Sequence, residues 1–127
     1  MTIPLPSSIS TASQWQLVDW LSLTQKATAA ATGIARVELP ALDTGEMWLI
    51  DRAVVACTST TRTTVRIYVG STTDVPLSGS DSGNFDEAEY PSGLLVKPSQ
   101  VLIAQWTGAV NGSIATLRLQ ARQYRRA

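Results

Sequence analysis

The stretch SDSGNFDEAEYPSG, residues 80–93, brings Asp81, Asp86, Glu87 and Glu89 close together around Gly83 and Asn84. Carboxylates gathered in this way invite two chemistries. A pair facing across a cleft can act as acid and base in glycoside hydrolysis, and clustered oxygens on a loop can hold calcium. Hydrolysis, however, needs one carboxyl desolvated opposite the other, and four acids on one glycine-containing loop face water. The D-x-[DN]-x-[DN]-G spacing of an EF-hand is missing as well. The sequence therefore assigns no catalytic residue, no metal ligand and no cofactor.

Composition removes most other reactions. The chain has no histidine and a single cysteine, Cys57. Without imidazole there is no Ser-His-Asp or Cys-His arrangement and no histidine-containing zinc site. One cysteine cannot close a disulfide within the chain, and Cys57, following AVVA, reads as a small buried side chain. No glycine-rich phosphate loop, CxxC pair or nucleophile elbow is present. The expectation is a protein that is not an enzyme. Ten basic and ten acidic residues cancel, so neither nucleic acid nor a membrane surface is an expected partner. The opening MTIPLPSSIS has neither a basic segment nor a continuous apolar run, so no export signal is expected.

What is left is chemistry of contact. Of the tryptophans, Trp48 and Trp106 lie among aliphatic residues and read as core, whereas Trp15 and Trp20 fall on opposite faces if their segment is a strand. At least one indole is then free to line a ligand site or a subunit interface. Charge is placed asymmetrically: Asp74, Asp81, Asp86, Glu87 and Glu89 form a stretch without a basic residue, and Arg118, Arg122, Arg125 and Arg126 end the chain. These are either two solvated patches or a means of pairing one copy with the next. Residues 1–13, MTIPLPSSISTAS, carry Ile3, Leu5 and Ile9 without a periodic face. They read as a plain terminus or as an extended arm whose apolar residues enter grooves on a neighbour.

The elements that position these residues are strands. Fifteen Thr, ten Val and seven Ile outweigh the few Glu and Lys, which favours sheet over solvent-facing helix. ATLRLQARQY alternates, with Ala115, Leu117, Leu119 and Ala121 on one face. TTVRIYVG does the same with Val65, Ile67 and Val69 inward. EMWLIDRAVVAC is a long apolar run crossing a bulge or bend at the charged pair Asp51 and Arg52. QVLIAQWT is another strand, and further strands are expected at residues 94–97 and 32–39. Residues 14–32 could be a helix capped by Ser13 and ended by Gly33, but the threonines and the period-two spacing of Trp15, Leu17, Leu21 and Leu23 favour two strands joined near Gln25. The acidic stretch is expected to be a loop, with Gly83 and Asn84 supplying unusual backbone angles and Pro91 with Gly93 starting the next strand. The sum is an all-β protein: an antiparallel β-sandwich, jelly-roll or Greek-key like, of seven or eight strands over residues 14–127, preceded by the arm of residues 1–13.

The strand beginning MWLIDRAVV, the turn DSGNFD and the segment LLVKPSQVLIAQWTG resemble those of small all-β virion proteins of tailed bacteriophages, especially those infecting actinobacteria. The resemblance implies a structural protein of the virion surface, made in the host cytoplasm. Its function would be capsid decoration, cementing the shell through contacts with the major capsid protein or another virion protein. The assembly would be a symmetric homo-oligomer, a trimer foremost. A tail-associated receptor- or glycan-binding module is the alternative. In the structural role the contacts with partners would fall to Ile3, Leu5, Ile9, Trp15, Trp20, Arg122, Arg125 and Arg126.

Overall fold

Alternation along the chain decides which side chains meet. The structure, a computed structural model, describes residues 15–72 and 75–126. It contains eight strands and no helix among them: β1 (Trp15–Thr28), β2 (Ala35–Glu38), β3 (Glu46–Cys57), β4 (Thr64–Val69), β5 (Ser78–Ser80), β6 (Phe85–Val96), β7 (Leu102–Thr107) and β8 (Ile114–Arg126). One sheet has the order β1-β8-β3-β6 and the other β2-β7-β4-β5, every pairing antiparallel. That interleaving of eight strands over two sheets is the connection pattern of a jelly roll.

The core lies between the sheets. Ala115, Leu117, Leu119 and Ala121 of β8 face Val65 and Ile67 of β4 and Ala104 and Trp106 of β7, all nearly inaccessible. Cys57 is buried at the end of β3, as expected. The inner rows run across strands, Leu21 beside Ala121 beside Ile50 beside Leu94, and residues directly opposite share a face.

The expected bulge in β3 is present. Ile50 and Arg52 pair with adjacent residues of β8, so Asp51 is the extra residue. Opposite it, β6 places four residues, 90–93, between the partners of Ile50 and Arg52.

Four expectations are corrected. The segment expected as two strands joined near Gln25 is the single strand β1, and Gln25 pairs with Leu117 within a ladder unbroken from Asp19 to Thr28, because thirteen-residue β8 runs beside it throughout. The acidic stretch is not mainly a loop, since β6 begins at Phe85 and runs through Pro91 and Gly93 to Val96. The separate strand expected at residues 94–97 is the end of that strand. Finally, Gly83 and Asn84 do not have positive φ; that conformation belongs to Gly93, to Ser99 and to four other glycines among the described residues. The expected arm, with Ile3, Leu5 and Ile9, lies outside the described residues.

Candidate functional site

The turn between β5 and β6 is a clamp. Asn84 accepts from the Thr63 amide at 2.8 Å and its hydroxyl at 2.7 Å, and donates to the Ser59 and Thr61 carbonyls at 2.9 Å each. The buried Trp106 indole donates to the Gly83 carbonyl at 2.9 Å. Gly83 is glycine for space, since a Cβ there would lie 2.6 Å from Thr63 Oγ1 and 3.0 Å from Trp106 Cδ1.

Three of the surrounding carboxylates, Asp81, Asp86 and Glu87, are engaged within the chain. Arg66 reaches across Gly79 to Asp81 at 3.1 Å, and Arg52 pairs with Glu87 at 2.5 Å. The Ser80 hydroxyl and the Glu87 amide both donate to Asp86, and they hold its carboxyl below the usual carboxylate range. Among the described residues no three His, Cys, Asp or Glu converge on a common cation position.

The exposed surface of note lies away from the acids, on the outer face of the β1 sheet. Val18 is an extra residue in β1, between the partners of Tyr124 and Gln123. One added residue inverts the alternation, so Trp15 and Trp20, expected on opposite faces, both point outward beside Arg126 and Arg122. Two rows then cross the sheet: Trp20, Arg122, Leu49, Leu95, and next to it Leu17, Tyr124, Met47. Trp20 is 68% exposed, Leu17 44% and Leu95 37%.

Polar groups hold the face in place. Arg122 Nε lies 3.1 Å from both oxygens of Asp51, and Nη2 lies 2.8 Å from Oδ1. These bonds to Asp51 keep the guanidinium even more firmly protonated than usual. The bulge at Asp51 puts Arg52 on the same outer face, opposite Gln120. Gly93, at φ 79°, leaves room for the neighbouring row, since a Cβ would lie 2.9 Å from Leu49 Cδ2. At the end of the face the Arg126 guanidinium sits 5.1 Å from the centre of the Trp15 ring.

Arg125 is on the other side of β8, opposite Glu46. There Glu46 accepts from the Trp48 indole at 2.9 Å and from the Gln123 amide, a polar plug at one end of the sandwich. Burial alone would raise the Glu46 carboxyl, but these hydrogen bonds and the charge of Arg125 outweigh it and hold it below the usual range. Of the expected contact residues, the structure thus brings Trp15, Trp20, Arg122 and Arg126 together and leaves Arg125 apart. Leu17, Met47, Leu49, Asp51, Leu95 and Tyr124 were not among the expected contacts, because only cross-strand register brings them to this face.

Concavities are slight. Between the sheets near β5 and β6 a cavity of about 30 Å³ is lined by Ala53, Val55, Ile67, Asp86 and Tyr90, room for about one water. Beside Trp20 an open depression of about 370 Å³ is floored by Leu21, Ser22, Asp51, Gln120 and Ala121.

Comparison with known proteins gives little. No family model matches the chain. No curated protein matches it. Among solved structures it is similar to PliG of Aeromonas hydrophila, a periplasmic inhibitor of g-type lysozyme, at 10% identity and a TM-score of 0.38, over 80% of this chain and 85% of that one. A likeness so loose transfers no function. That structure is an inhibitor and not a virion protein, so the expected function, capsid decoration or a tail-associated receptor- or glycan-binding module, finds no support and is withdrawn.

Proposed function

We propose that this chain is a non-catalytic protein-binding module that docks its partner on the outer face of the β1 sheet, with Trp20 as the anchor. The observation that carries the reading is a 68% exposed indole standing on a strand in a row with Arg122, Leu49 and Leu95. The outer face of a sandwich sheet is ordinarily polar. An indole fixed on a sheet loses little freedom when covered, and Trp, Tyr and Arg are the residues in which binding energy concentrates at protein interfaces.

The chemistry of the face describes the partner. Lys26, Arg52, Arg118, Arg122 and Arg126 outnumber Asp51, Glu87 and Glu89 on this face, so it is basic around its apolar centre. It suits a protein surface with an apolar pocket for the indole and carboxylates at the rim. The depression beside Trp20 is open, unlike the clefts that enclose small ligands. The lack of any histidine and the engagement of Asp51, Asp81, Asp86 and Glu87 by Arg122, Arg66, Ser80 and Arg52 support the non-catalytic part.

The experiment is a three-way capture from cells that make the protein, with immobilised wild type, Trp20→Ala and Phe85→Ala. Phe85 is exposed at the far end of the same face. A protein held by wild type and Phe85→Ala but lost by Trp20→Ala is expected. A binder held equally by all three would refute the assignment.

A further inference from the structure

The two sheets end in four strands, β1 and β6 in one and β2 and β5 in the other, and the chain treats these edges differently. The β5 and β6 edges are stitched by side chains, Ser78 hydroxyl to Tyr90 hydroxyl at 2.7 Å and Ser80 hydroxyl to Asp86 at 2.5 Å. β2 is only four residues long. β1 is fourteen residues long and pairs on one side only, with β8. An edge of that length presents a row of N–H and C=O groups to any matching strand, with the Trp20 amide held by Asp19 Oδ1 at 2.8 Å. Its only charges are Asp19 and Lys26, of opposite sign and near opposite ends of the regular ladder. Neither has an ion-pair partner among the described residues.

We propose that β1 pairs antiparallel with β1 of a second copy, about a two-fold axis at Leu23, joining two four-stranded sheets into one of eight. Even-numbered side chains from Trp20 to Lys26 lie on the outer face and Leu21, Leu23 and Gln25 on the other, where the leucines are half-buried and Gln25 stays exposed to water. A dyad normal to the sheet lets only same-face residues meet. With the axis at Leu23, Trp20 meets Lys26 of the second copy, Ser22 meets Thr24, and Leu23 meets itself. The first is a cation–π pair and the second a hydroxyl pair, both favourable cross-strand neighbours. Asp19 lies one position from the facing Lys26, well inside a Debye length. An axis at Ser22 or Thr24 would instead set Lys26 against Val18 or Ser22, and parallel pairing would align like charges. The paired run, residues 19–27, stops short of the bulge at Val18.

Pairing makes the two outer faces continuous, with their Trp20 rings six strand positions apart, roughly 20 Å. The assembly goes beyond the docking role and does not depend on it.

Sedimentation equilibrium of the full chain tests it. A dimer is expected, and Lys26→Glu, which sets a carboxylate beside Asp19, is expected to weaken it about tenfold, or about 1.4 kcal/mol. The register is read by cross-linking. Ser22 and Thr24 are exposed, and directly opposed Cα atoms in an antiparallel pair lie within disulfide reach. An equimolar mixture of Ser22→Cys and Thr24→Cys is expected to form a disulfide dimer faster than either variant alone, with wild type, whose Cys57 is buried, as the control. A chain that stays monomeric or forms trimers, a dimer indifferent to Lys26→Glu, or cross-linking no faster in the mixture would each overturn the proposal.

Discussion

Replacing Asn84 distinguishes two reasons for its presence. In sequence, Gly83-Asn84 looks like a turn chosen for backbone freedom. In the structure neither residue has positive φ, and Asn84 instead makes four side-chain hydrogen bonds to the segment from Ser59 to Thr63. At a net contribution of about 1 kcal/mol each, discounted for partial exposure, Asn84→Ala should cost about 3 kcal/mol. For a chain of 127 residues that lowers Tm by roughly 10 °C. The deciding variant is Asn84→Gly. If backbone angles were the reason, glycine would be neutral or better, whereas loss of the side chain makes glycine at least as costly as alanine. Thermal unfolding followed by circular dichroism reads both variants. Asn84→Gly melting within a degree or two of wild type would refute the clamp.

Two further predictions concern stability. Gly83→Ala forces a Cβ against Thr63 and Trp106, and should cost about 1–3 kcal/mol in a denaturant titration followed by tryptophan fluorescence. Glu46 has a folded pKa below its unfolded one, so its contribution is full above the unfolded value, ~4.3, and is lost as pH falls through the folded value. Stability against urea should therefore decline below about pH 4.3, and Glu46→Gln, less stable at neutral pH, should show a shallower decline over that range.

How legible the molecule was in its sequence depended on burial. Where one face is fully buried, as in β8 from Ala115 to Ala121 and in β4 at Val65 and Ile67, the period-two pattern is clean and the reading holds. Asp51 and Arg52 inside an apolar run likewise betrayed the bulge of β3, because a charged pair has no other place in a buried strand. β1 is an edge strand exposed over most of its length, so Thr24 and Gln25 looked like a break when they only face water. Its bulge falls on Val18, a residue that gives no sign of one, and with it went the knowledge that Trp15 and Trp20 share a face. β6 was obscured for a related reason. Pro91 and Gly93, which read as a strand start, occupy the wide irregularity opposite Asp51, a feature of the partner strand. The acids drew attention by proximity in sequence, whereas Trp20, Arg122, Leu49 and Leu95 come from four strands and meet only through register.

The docking face is tested most directly by titrating the protein captured by wild type against wild type, Trp20→Ala and Phe85→Ala in a calorimeter. Losing an anchor of at least 2 kcal/mol should weaken binding by Trp20→Ala about 30-fold or more, with Phe85→Ala close to wild type. Trp20→Ala binding as tightly as wild type would contradict the account.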